Sequence, residues 1–378
     1  MKYKILILLI CSVLIITGCS KEDATGTLAG DEVYQIQPYY FIQPDSREEN
    51  QKSITESSPE FAYSAGTIYY TNQPKKSGPC RIMAIDINAQ SLDEAVLFKD
   101  NEKVDGQQQN YMFTVKDNSL CCYDLDANNT LKLEISLPLD YAVLDNTLYY
   151  IAENSAFAVN IESGQSTHLG DGYQNLKAEN GRLWLITTGG ELCEAIGESV
   201  SVPVASGIIS PNYFTVIENT LFYTSGVEGE NEQALYSKEL GSDSDTIVLD
   251  NIQVFYEIIN VDGYVYATYV PEGKSQHILA FLDFQKRKSQ PDTAFEIALD
   301  NPSDYSIKAY SSKDSSAWFI CCGSAVLEAG SRNVLAPSGI NLKTQVFDDL
   351  AIFMFDAKGQ NFYFETYQLD PASHRINP

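Results

Sequence analysis

The sequence predicts an all-β fold: a β-propeller of four-stranded antiparallel blades, seven or eight in number, over residues 32–378. Three observations lead there. A turn of Asp, Asn or Gly followed by a short aromatic strand returns down the chain, its clearest copy being Asp145-Asn146-Thr147-Leu148-Tyr149-Tyr150-Ile151. The copies recur at about the 40–50-residue period of a four-stranded blade. Neither a convincing helix nor a glycine-rich phosphate turn interrupts them, which disfavours all-α and dinucleotide-binding folds.

The copies, in order, begin at Ala65-Gly66, Asp117-Asn118, Asp145-Asn146, Asn180-Gly181, Glu218-Asn219, Asp262-Gly263, Asp314-Ser315 and Asp348-Asp349. Measured from the third residue of each unit, the steps are 52, 28, 35, 38, 44, 52 and 34, with a mean near 40. Between these anchors lie short alternating runs, such as Arg81 to Asp86, Ala156 to Ile161 and Ala234 to Glu239, as expected of hairpins within a blade. The segment Leu92 to Lys99 is the best candidate helix and reads equally well as a strand. Near the start, the strand-like run Glu32 to Gln43 contains Pro38, which predicts a sheet edge or a bulge. Radial stacking has a physical basis: one four-stranded sheet cannot hide both faces, whereas a ring of sheets covers each with its neighbours. The 24 Tyr and 17 Phe fill the widening space between them.

The N-terminus has its own chemistry. Lys2 and Lys4 precede an apolar run, residues 5–16, that ends in Ile16-Thr17-Gly18-Cys19. The run falls short of the roughly 20 residues a spanning helix needs but suits a secretory signal. Its last four residues resemble a bacterial lipobox, which implies cleavage after residue 18, diacylglycerol on the Cys19 sulfur and attachment outside the cytoplasmic membrane. An ordinary secretory signal with a chance cysteine is the alternative. The expected organisation is a lipoprotein signal peptide over 1–18, a small polar tether over 19–31 and the propeller over 32–378.

With 25 basic against 51 acidic side chains, the formal charge of -26 repels nucleic acid and anionic lipid head groups. No nucleic-acid partner is expected, and a monomer is. Beyond Cys19 the chain carries Cys80, Cys121, Cys122, Cys193, Cys321 and Cys322. The adjacent pairs sit in apolar strands, where neighbouring side chains point to opposite faces, so each pair is expected to place a single sulfur in the core. Buried free thiols and a long-range disulfide both remain open.

The strands of the form Asn/Gly-x-Leu/Ile-Tyr-Tyr, with later runs such as Arg81 to Asp86 and Leu235 to Glu239, resemble the YWTD-like propellers of uncharacterised Gram-positive lipoproteins, akin to those of low-density-lipoprotein receptors. The resemblance covers about residues 60–370. No YWTD tetrapeptide occurs, and Tyr69-Tyr70-Thr71-Asn72 is its nearest echo. The resemblance implies an extracytoplasmic propeller with no assigned activity.

Catalytic signatures are sparse. His168, His277 and His374 are isolated from one another, GxSxG is absent, and no local His/Cys pair has zinc-ligand spacing. Asp124, Asp126 and Asn128 alternate like calcium ligands, but the sixth position is Asn129 and no Glu stands twelfth, so metal binding stays open. Trp184 and Trp318 lie inside the repeated aromatic strand and are expected to pack between blades. No catalytic residue and no cofactor is assigned. The expected function is a lipid-anchored module recognising a protein or glycan at the cell envelope. The alternative is an envelope polysaccharide hydrolase or lyase built on paired carboxylates. Ligand contacts are expected in the segments that do not repeat, 71–80, 225–233 and 300–313.

Overall fold

The computed structural model describes residues 37–41, 60–72, 80–86, 95–96, 101–197, 199–224, 233–261, 263–283, 292–299, 307–311, 318–322, 325–329, 334–336, 343–347, 350–356 and 362–368. The described residues form an all-β propeller of antiparallel sheets. We number the sheets in chain order: sheet 1 (61–96), sheet 2 (102–136), sheet 3 (140–171), sheet 4 (173–206), sheet 5 (214–299), sheet 6 (307–336) and sheet 7 (343–368). Sheet 7 takes Gln37–Phe41 as its outermost strand, against Phe362–Gln368. That strand is an edge, with its register broken between Pro38 and Tyr40, as the proline led us to expect.

The sheets are not uniformly four-stranded. In sheet 4 the outer strand is split into Ser199–Val200 and Ala205–Ser206, both paired with Glu191–Ile196. Pro203 lies in the gap, where it has no N–H to offer a ladder. Sheet 5 has seven strands because Asp245–Val261 runs without a loop from one hairpin stack into the next.

The repeated turns form as their residues dictate. Two-residue hairpin loops with both residues at positive φ match the twist of the flanking strands, and Asn, Asp and Gly tolerate that region best. Such pairs occur at Asp145/Asn146 (48° and 63°), Asn180/Gly181 (52° and 72°) and Asp117/Asn118 (45° and 74°). One anchor was out of phase. Asp117-Asn118 joins the second and third strands of sheet 2, whereas Ala65-Gly66, Asp145-Asn146, Asn180-Gly181 and Glu218-Asn219 join first and second strands; the equivalent turn is Gln109-Asn110, between Glu102–Gln108 and Tyr111–Lys116. Re-anchoring on Tyr111 turns the uneven first steps of 52 and 28 into 44 and 36. In Leu92 to Lys99 the strand reading holds, since Ala95–Val96 pairs with Arg81–Asp86.

The core lies between sheets, so strands are buried on both faces. Leu183, Trp184, Leu185 and Ile186 are consecutive and all buried. Leu183 and Leu185 join Ile151 and Ala156 of sheet 3, while Trp184 and Ile186 join Phe214 and Leu221 of sheet 5. Simple alternation of apolar and polar residues is therefore not the rule in these strands. The same geometry corrects the cysteine expectation. Cys121 packs towards sheet 1 and Cys122 towards sheet 3, so both sulfurs are buried, as are those of Cys321 and Cys322. All six described cysteines are free thiols, and burial pushes the Cys122 thiol up to about 12. The ring closes through Phe61, Ile68, Tyr70, Met83 and Ile85 of sheet 1 against Phe347, Leu350 and Ile352 of sheet 7. Each fully buried side chain of this size contributes about 1.5–3 kcal/mol.

Candidate functional site

The first strands of sheets 1 to 4, 6 and 7 line a central cavity of about 560 Å³. Phe61, Gln108, Tyr141, Lys177, Tyr310 and Phe347 each come from a different strand of its wall, and Asn212 and Glu257 are contributed by sheet 5 and its lead-in. A strand in that position has one edge with no neighbouring strand, and alternate N–H groups along it would be left unmatched. Side chains of neighbouring strands take them. Tyr63 N donates to Gln107 Oε1 at 2.7 Å, and Val143 N donates to Gln108 Oε1 at 2.7 Å. Leu176 N donates to Asp140 Oδ2 at 2.9 Å and Asn260 N to Glu179 Oε1 at 3.0 Å. Ile307 N donates to Glu257 Oε2 at 2.5 Å, and Phe61 N to Gln345 Oε1 at 2.9 Å. The result is a polar belt around the cavity that joins sheet to sheet.

The charged groups of the wall are held in the same way. Lys177 Nζ donates to the carbonyls of Phe214 (2.7 Å) and Ile258 (3.1 Å) and lies 3.3 Å from Glu179 Oε1. All three of its ammonium protons thus have partners. Thr215 Oγ1 donates to Glu179 Oε2 at 2.6 Å. Lys308 pairs with Glu60 at 3.2 Å, and Gln345 Nε2 donates to the other Glu60 oxygen. Tyr141 OH donates to Asp105 Oδ2 at 2.5 Å. Burial pushes the Asp140 carboxyl above its usual range, opposed by the Leu176 and Tyr141 N–H groups and the Asn175 side chain. Burial, reinforced by the Asp105 carboxylate, also raises the Tyr141 phenol. The arrangement offers a preformed concave surface whose walls resist deformation.

None of the side chains that accept these backbone N–H groups was singled out in the sequence. Their signal is a polar residue that closes a strand just before a hairpin turn, as at Gln108 and Glu179. Of the residues that were singled out, Cys19 and His374 lie outside the described residues. His168 is exposed on the outer strand of sheet 3, its ring tilted against that of Phe157 and its Nε2 2.9 Å from Asp171 Oδ1. His277 is in sheet 5 with its ring 5.4 Å from that of Tyr256. The structure does not bring these two together. Asp124 Oδ1 accepts the N–H groups of Asp126 (3.0 Å) and Ala127 (3.1 Å), while Lys132 sits 3.3 Å from Oδ2. That carboxylate therefore shapes its own loop. Among the described residues no group of three or more His, Cys, Asp or Glu converges on a point. Trp184 is fully buried between sheets 4 and 5, edge-on to Phe214, with Arg182 over its ring at 4.4 Å. Trp318 is partly buried in sheet 6. Most of 71–80, 225–233 and 300–313 lies outside the described residues; Lys308 and Tyr310, within the last, line the cavity.

No protein-family model matches the chain, and neither does any curated protein. Solved structures do. The crystal structure of the computationally designed Ika8 protein is 12% identical at a TM-score of 0.53, over 88% of this chain and 100% of that one. BamB from Moraxella catarrhalis is 9% identical at 0.48, over 88% and 100%. A quinonprotein alcohol dehydrogenase-like protein from Bacteroides thetaiotaomicron is 14% identical at 0.39, over 64% and 65%. At these identities the likeness is one of fold.

Proposed function

We propose that the protein is a lipid-anchored, extracytoplasmic binding or scaffolding module that recognises a protein or glycan at the cell envelope. The observation that carries the binding half is the central cavity, whose size falls within the range of ligand sites, roughly 300–1,000 Å³. A wall fixed by side-chain bonds between sheets loses little conformational entropy when a ligand seats, which favours recognition. The anchor half rests on Ile16-Thr17-Gly18-Cys19 and on the resemblance to YWTD-like lipoprotein propellers. The finer architecture belongs to the same proposal: sheet 5 is two blades that share Asp245–Val261, divided near Asn251, whose φ is 58°. The ring then has eight blades, each supplying one inner strand, and an experimental density map counts seven or eight strands around the axis directly. The test of function is a glycan array and an envelope pull-down with the full chain, alongside Asp105→Lys. Retention by an envelope glycan or protein that the variant loses supports the reading; equal retention removes the cavity from it. Unlipidated, membrane-bound Cys19→Ser protein removes the anchor.

The enzyme alternative draws on one observation: Asp140, a buried carboxyl raised in pKa, shares the cavity with Asp105. Both Asp140 oxygens, however, already accept backbone N–H groups. Turnover of envelope polysaccharide that Asp140→Ala abolishes, with the fold intact, would establish it.

A further inference from the structure

Outer strands of the sheets present open hydrogen-bonding edges, and proteins ordinarily blunt such edges. Sheet 3 ends in Ser166–Asp171, which carries His168, Gly170 and Asp171. Sheet 4 ends in two fragments of two residues each. Sheet 2 differs: its edge, Thr130–Ser136, is seven residues long and continues into Leu137-Pro138-Leu139. Leu131, Leu137 and Leu139 are 46%, 41% and 69% exposed, three of the eight large apolar side chains exposed among the described residues. The flanking charge is one-sided. Lys132, the cation of this strand, is held by Glu162 at 3.0 Å and Asp124 at 3.3 Å, while Glu134 and Asp126 are exposed and form no ion pair among the described residues.

We propose that the outer edge of sheet 2 is a docking edge for an extended segment of a partner protein in which apolar and basic residues alternate. The free backbone edge of 130–136 supplies the ladder. Leu131, Leu137 and Leu139 take the partner's apolar side chains, and Glu134 and Asp126 take its cations, the complement of a chain with net charge -26. The inference rests on the proposed binding function only in requiring a protein partner, and it uses a different surface from the cavity.

The test uses the full chain and a synthetic octapeptide of alternating valine and lysine, with hydrogen exchange and fluorescence anisotropy as readouts. On saturation, amides of 130–136 gain at least about tenfold protection. The doubly substituted Leu137→Glu/Leu139→Glu protein, altered only at exposed positions, binds about tenfold more weakly, and Glu134→Lys lowers affinity and its salt dependence. Unchanged protection at 130–136, or equal binding by the double variant, overturns the proposal. So does concentration-dependent dimerisation that protects 130–136 without peptide, since the occupant is then a second copy. A partner captured at the cavity while 130–136 stays unprotected overturns this inference and leaves the proposed function standing.

Discussion

The belt around the cavity is made in two ways. From sheet 7 through sheet 1 to sheet 3, the acceptors are the carboxamides of Gln345, Gln107 and Gln108, each taking a backbone N–H. From sheet 3 through sheets 4 and 5 to sheet 6 they are the carboxylates of Asp140, Glu179 and Glu257. An amide oxygen clips two strands at no electrostatic cost. A carboxylate gathers more donors, and Glu179 reaches Thr215, Val216 and Asn260, but it is a partly buried charge that needs Lys177 beside it. One half of the rim is thus clipped by carboxamides, of which Gln345 also meets the Glu60 carboxylate, and the other half centres on the network of Glu179 and Lys177.

The largest effect is expected where that network is cut. Glu179→Ala leaves Lys177 without its counter-ion and three donors without their acceptor, and should lower stability by about 3–5 kcal/mol in urea unfolding. Gln108→Ala orphans one N–H and should cost about 1–3 kcal/mol in the same assay. Equal losses would erase the distinction between the two halves.

A smaller effect probes the amide half from its turn. Ala65 holds φ of 49° without the tolerance of Asn or Gly, so Ala65→Gly should raise stability by about 0.5–1 kcal/mol, read by thermal unfolding. The smallest belongs to pH. Because the folded chain raises the Asp140 pKa, it binds that proton more tightly than the unfolded chain does. The resulting stability is complete below the ordinary Asp range and is lost as pH rises through the raised value. Unfolding from pH 3 to 7 should show this component in the native protein and lack it in Asp140→Asn.

The hairpins were legible because their rule is local: two residues that tolerate positive φ, then an apolar strand. Sheet 2 was read one hairpin late because Gln109-Asn110, with φ of 55° at Gln109, competes with the more typical turn pair Asp117-Asn118 one hairpin on, and turn residues do not say which strands they join. The belt was illegible for a different reason. Gln345 meets Phe61 across 284 residues, and only closure of the ring brings them together. The cysteine pairs misled because a strand lying between two sheets has no solvent face, and alternation then sorts side chains between neighbours instead of between core and water.

The central claim is that side chains from adjacent strands seal the inner rim. Native-state hydrogen exchange at the amides of Phe61, Tyr63, Val143, Leu176, Asn260 and Ile307 tests it most directly. The account predicts that they exchange only through global unfolding, together with the amides of the paired second strands. Exchange at these six as fast as at the open outer edge, Thr130–Ser136, would contradict it.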